Sequence, residues 1–175
     1  MPAAQEISEL LIRENISRAV ADVFKTMLSR PVEMRAVDPH EPQLWPPLPP
    51  PPEQGAPHLV GTVGFLGDIN GLIYLYLEVP FANLCTARLL GMEPTSPALT
   101  EEAVNDAIGE LTNMIVGVFK NGLCDAGYSC KLTIPSIVRG RNFCIGPVSS
   151  AQRHIYAFES QGHRVVADIL MKNED

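Results

Sequence analysis

Two polar residues three apart, Glu110 and Asn113, are the pair in this sequence best suited to chemistry. On a helix, side chains at that spacing project together. The carboxylate can hold a cation, and the carboxamide can donate and accept hydrogen bonds without titrating near neutral pH. Such a pair could clasp a cationic group and orient a water molecule. It lies in the run Asp106-Ala-Ile-Gly-Glu110-Leu-Thr-Asn113-Met-Ile-Val-Gly117. At about 100° per residue, Asp106, Glu110, Asn113 and Gly117 form one narrow stripe. Val104, Ile108, Leu111, Ile115 and Val118 fall on the other side at the spacing of a core face. A merely solvated stripe is usually filled with strong helix formers. Here Gly109 and Gly117 flank the polar pair, and each interior glycine costs roughly 1 kcal/mol against alanine. Two glycines on one exposed face imply that something large comes close to the backbone. The blander reading of the same spacing is a capping or surface-polar pair.

The elements that must position this stripe follow from periodicity and punctuation. Thr100 is a good N-cap for its helix, and Glu101 and Glu102 complement the N-terminal dipole. The helix should run to about Cys124 and stop near Gly127, a length of roughly 36 Å. Residues 5–29 predict a first helix with an apolar stripe that includes Ile7, Leu10, Leu11, Val20, Val23 and Phe24, ended by Pro31. A short strand is expected at Val32–Val37. Leu59–Leu66 and Leu72–Val79 read as a hairpin turned by Gly67-Asp68-Ile69-Asn70-Gly71. Gly61, Gly64 and Gly67 lack the spacing and the Gly-Lys-Ser/Thr ending of a phosphate loop. A short helix follows from Pro80 to Leu90, closed by Gly91. The C-terminal third predicts strands at Ser129–Val138, Asn142–Val148, Ala151–Glu159 and His163–Met171, with Gln161-Gly162 as the last turn. The order α-β-β-β-α-α-β-β-β-β implies an α+β fold: a largely antiparallel sheet with its long helices on one face.

The length of 175 residues predicts a single domain over 1–175. Residues from about 38 to 57 are dense in proline, including Trp45-Pro-Pro-Leu-Pro-Pro-Pro-Pro52. This run favours polyproline II and reads as a surface insertion; docking to a proline-reading groove is the more specific alternative. With 13 basic and 20 acidic residues, net −7, nonspecific binding to nucleic acid or anionic membrane is disfavoured. The start of the chain shows no secretory signal, and no stretch approaches the ~18 apolar residues of a membrane span. A cytoplasmic location is expected. The four cysteines, Cys85, Cys124, Cys130 and Cys144, form no CxxC pair and read as reduced, mostly buried thiols. Metal-type Cys/His spacing is absent, and His154 and His163 read as structural strand residues.

Taken together, these residues resemble a known family. The run Glu110-Leu-Thr-Asn113-Met-Ile-Val-Gly117, then Phe119-Lys120, Asp125-Ala-Gly-Tyr128 and Lys131-Leu-Thr-Ile-Pro135, is similar to the CheX branch of the CheC/CheX/FliY phosphatases of bacterial chemotaxis. Val60-Gly-Thr-Val-Gly-Phe65 and Gly67-Asp-Ile-Asn-Gly71 resemble the family's paired strands, and the likeness covers roughly residues 58–171. The family signature, Asp or Ser, three residues, Glu, two residues, Asn, and a later proline, is filled by Asp106, Glu110, Asn113 and Pro135. The resemblance implies a CheC-like fold and removal of phosphate from the phosphoaspartate of a CheY-type response regulator. It implies that Glu110 pairs with the regulator's active-site lysine and that Asn113 holds the attacking water in line. Asp106, Gly109 and Gly117 would then face the partner. It also implies that Mg2+ belongs to the regulator, with no cofactor or metal in this chain, and that the chain forms a homodimer. A second motif near the first helix is incomplete: Ser8 and Ile12 keep the spacing to Asn15 but lose the carboxylate. One site per chain is therefore expected. A catalytically silent adaptor, docking a regulator or the flagellar switch, is the alternative from another class. A small-molecule hydrolase using Asp106 and Glu110 as paired carboxylates is the third reading.

Overall fold

The computed structural model describes residues 7–35, 57–141, 143 and 145–173. The proline-rich segment expected at about 38–57 lies, but for its last residue, outside the described residues. Ser8 caps the first helix, α1 (Glu9–Leu28), by accepting a hydrogen bond from the Leu11 amide at 3.2 Å. Strand β1 (Glu33–Arg35) follows, then β2 (His58–Gly67) and β3 (Ile69–Glu78). Helix α2 (Val79–Leu90) carries proline in its first turn and ends on Gly91 at φ 63°, a left-handed conformation that glycine tolerates without a Cβ penalty. Helix α3 (Glu101–Asp125) precedes β4 (Cys130–Leu132), β5 (Ser136–Gly140), β6 (Gln152–Ser160) and β7 (His163–Asn173).

The strands form one antiparallel sheet in the order β1-β6-β7-β3-β2-β4, with β5 also paired to β2. Alternation along the strands sets the two faces. Leu59, Val63 and Phe65 of β2, Ile73, Leu75 and Leu77 of β3, and Val165, Ala167 and Ile169 of β7 join the helices in one buried core. The expected α+β architecture, with long helices on one face, is what the chain adopts. On the other face Val60, Tyr76 and Val166 form a smaller cluster, with Phe143 and Ile145 packed against it. Beside it Arg153 grips the fully buried Asp168 through two hydrogen bonds, at 3.0 and 2.7 Å, and donates a third to the Ile145 carbonyl at 3.1 Å. The fork geometry leaves neither charge unpaired, which buried charges require.

Three sequence expectations change. The stretch expected as one strand at Ser129–Val138 is two, because Pro135 has no N–H to give a ladder. No strand forms over the described part of 142–148; that region is an irregular connection whose Phe143 and Ile145 cover the sheet. The turn expected at Gly67–Gly71 contracts to a bend at Asp68, because each strand is extended by its outer neighbour. Gly67 pairs with Cys130, and Ile69 pairs with Asn173.

Candidate functional site

Helix α3 is held on four sides. Thr100 accepts from the Ala103 amide at 3.2 Å and starts it. Its apolar face sinks onto the sheet through Ile108, Leu111, Ile115 and Phe119, all fully buried. Phe119 meets Phe65 of β2 with ring centroids 5.8 Å apart. A side chain on Gly61 would overlap the hydroxyl of Thr112, so glycine there sets how closely α3 approaches β2. Thr112 in turn donates to the Ile108 carbonyl at 2.7 Å, leaving its buried hydroxyl satisfied. On one flank Arg139 of β5 donates to the Asn105 side chain at 2.9 Å and lies 3.6 Å from Glu101. At the far end Gly122 receives Asn15 of α1.

What remains of α3 is the polar stripe. Asp106 and Glu110 are exposed, Asn113 is half-buried, and Gly117 is half-buried. None of the four expected on one stripe belongs to the fully buried face of α3. Gly109 differs from the expectation of an exposed position: it is buried. A Cβ on it would meet Pro135 at 3.8 Å, and one on Gly117 would meet Leu132 at 3.9 Å. The bulky neighbour of both glycines within this chain is thus its own β4–β5 segment, which runs along the edge of the stripe. Sequence reasoning took Pro135 as part of a motif but missed Thr133 and Ile134 as neighbours of the site. The proline inside an expected strand was the available signal, since it marks an interruption or bulge.

The arrangement offers a fixed carboxamide and an adjacent free carboxylate on a rigid helix, framed by the β4–β5 segment. Among the described residues no three His, Cys, Asp or Glu side chains are gathered to hold a metal ion. His163 instead stacks on Phe81 of α2 at 4.4 Å, with Arg30 over the same ring. His154 sits on β6, paired with Ile169. Of the three described cysteines, Cys85 and Cys130 are buried and Cys124 is exposed. Burial pushes the Cys85 thiol up to about 12, only partly countered by Arg30, so it is an inert core residue. Asn15, the incomplete second motif, is buried at the α1–α3 crossing, its carbonyl oxygen accepting from Arg18 at 3.1 Å.

The chain is similar to known proteins in sequence and in fold. Residues 59–159, more than half of the chain, match the family described as Chemotaxis phosphatase CheX. The CheY-P phosphatase CheX of Thermotoga maritima is 35% identical over 91 residues, covering 51% of this chain and 57% of that protein. The match therefore spans little more than half the length of that relative. The chemotaxis protein CheX of Vibrio vulnificus superimposes with a TM-score of 0.73 at 22% identity, covering 92% of this chain and 99% of that one. A CheX–CheY–BeF3–Mg2+ complex from Borrelia burgdorferi contains a chain of the same fold, with a TM-score of 0.65 at 18% identity over 92% of this chain and 97% of that one. The matched segment includes the whole of α3 and the β4–β5 segment that frames its polar stripe, and on that match the chain belongs to the CheX family of chemotaxis phosphatases.

Proposed function

We propose that this chain dephosphorylates the phosphoaspartate of a CheY-type response regulator, using Asn113 to orient the attacking water. The observation that carries the reading is the placement of Asn113 beside exposed Glu110 on a solvent-facing stripe of a helix whose opposite face is packed on the sheet. Phosphoryl transfer needs positioning and charge stabilisation more than covalent help from the protein. The water oxygen attacks phosphorus, the bond from phosphorus to the aspartyl oxygen breaks, and the carboxylate leaves. The proton released from water passes to the phosphate. A carboxamide accepts a hydrogen bond from that water through its oxygen and donates through its nitrogen to a phosphoryl oxygen. Because α3 is fixed against the sheet, Asn113 arrives with little freedom to lose. Glu110 pairs with the regulator's active-site lysine, and Asp106 and Gly117 lie along the contact.

Membership of the CheX family supports this reading, as does the activity named for the Thermotoga maritima relative. The Borrelia burgdorferi complex brings together a CheX, CheY, Mg2+ and BeF3, a phosphoryl mimic, which supports a CheY-type partner; in this reading the Mg2+ belongs to the regulator. No described helix is long and apolar enough to cross a membrane. The whole chain is read as one domain that acts in the cytoplasm as a homodimer, which light scattering can check. The test is turnover. Added to a phosphorylated CheY-type regulator with Mg2+, the chain should release phosphate well above the regulator's own rate. Binding without acceleration would make it an adaptor instead.

A further inference from the structure

Strand β2 pairs with β4 through Phe65 and Leu132, and with β5 through Thr62 and Ser136. Between those two registers Thr133, Ile134 and Pro135 face only Val63 and Gly64. One extra residue on one side of a ladder is a β-bulge, a device that re-aims side chains. The bulge is pinned. The Thr133 amide donates to the Gly64 carbonyl at 2.9 Å, and the Gly64 amide donates to the Thr133 hydroxyl at 2.8 Å. Pro135 has no amide hydrogen to lose and packs beside Gly109. The result throws Ile134 outwards, 88% exposed, further than any other large apolar side chain among the described residues. Its position relative to the site is bracketed. Leu132 lies by Gly117 and Pro135 by Gly109, and Asn113 is midway between those glycines on α3.

Held in water by a fixed bulge, Ile134 contributes nothing to the core of this chain. We propose that Ile134 is the apolar anchor that docks the response regulator on the surface bordering its phosphoaspartate. This rests on the phosphatase reading above and adds to it the residue that confers affinity. The partner surface it fits is a small apolar depression beside the phosphorylation site, since a few well-buried side chains carry a large share of the binding energy of a contact. The division of labour is then explicit: Ile134 holds the complex, and Asn113 accelerates the reaction within it.

Ile134→Ser and Ile134→Leu separate these roles in the full chain, with a phosphorylated CheY receiver domain as substrate and its beryllofluoride form as binding probe. Losing the buried side chain should raise both KM and Kd about tenfold for Ile134→Ser. The rate at saturating receiver should stay within about twofold, because uniform binding is lost rather than transition-state stabilisation. Ile134→Leu should restore wild-type affinity, and the melting temperature should not move in either variant. Unchanged KM and Kd in Ile134→Ser would overturn the anchor while leaving the phosphatase reading intact. So would a fall in melting temperature, or a change of oligomeric state at unchanged Kd, which would put Ile134 in the core or between copies of this chain. Should the wild type bind the receiver without accelerating phosphate loss, the phosphatase reading fails and the Kd comparison still decides the anchor. Absence of any binding would overturn both.

Discussion

Helices α1 and α3 cross on the same face of the sheet, and each carries an asparagine seven residues after a polar side chain. Ser8, Ile12 and Asn15 in α1 occupy the intervals of Asp106, Glu110 and Asn113 in α3. Their surroundings are opposite. Ile12 is buried in the core and Asn15 is only 5% exposed, pressed against Gly122 of α3 and bonded to Arg18. Glu110 is exposed and Asn113 stands half-buried beside it. The difference teaches that the middle residue decides. An apolar residue there turns that face of the helix inwards and converts the asparagine into packing. A carboxylate there keeps the face in solvent and the amide available to a partner.

The comparison can be broken first at the crossing. A Cβ on Gly122 would overlap Asn15 Oδ1 and lie 2.8 Å from Arg18 Nη2. Gly122→Ala should therefore destabilise the fold by roughly 1–3 kcal/mol despite its better helix propensity. In an Asn15→Ala background the overlap with Oδ1 disappears and the flexible Arg18 side chain is released from that bond, so much of the loss should be recovered and chemical denaturation of the double-mutant cycle should show strong coupling. Additive effects would mean that Asn15 does not set the crossing. A smaller effect belongs to Glu110. Glu110→Ala should weaken binding of the activated regulator about tenfold, as expected for an ion pair at a closing contact. Glu110→Gln should be milder yet still impaired, and titration calorimetry of both variants checks this; wild-type affinity in both would remove the ion pair. The smallest effect is an expected absence of one. Asn113 does not ionise, and His154 and His163 are committed to strands β6 and β7. The ratio of accelerated to spontaneous dephosphorylation should stay flat between roughly pH 6 and 8. A ratio climbing tenfold per pH unit would reveal a general base.

Much of this was legible in the sequence, for identifiable reasons. The caps at Thr100 and Gly91 bounded α3 and α2 closely because local side-chain and backbone chemistry ends a helix wherever it sits. Gln161-Gly162 formed its turn, both residues at positive φ. Periodicity put Asp106, Glu110, Asn113 and Gly117 on one stripe, and the family resemblance supplied the role proposed for it. Tertiary effects were less visible. Gly61, Gly64 and Gly67 carried no pattern by themselves, yet side chains there would run into Thr112, Thr133 and the Ser129 backbone respectively. Gly109 looked exposed because periodicity cannot show that Pro135 folds back over the helix. The bulge at Thr133–Pro135 needs the register of β2 against both β4 and β5, which no local signal contains. Asn15 and Asn113 could be distinguished only because Ile12 and Glu110 differ.

The central claim, that a single carboxamide does the chemistry, is tested most directly by measuring kcat and Kd for Asn113→Ala beside Asn15→Ala. Removing an orienting group typically costs ~10²-fold or more in rate. Asn113→Ala should lose turnover by that factor on phosphorylated regulator while its affinity for the beryllofluoride form stays near wild type. Asn15→Ala should keep full turnover once corrected for folded protein. Wild-type turnover in Asn113→Ala, or an equal loss in both variants, would contradict the account.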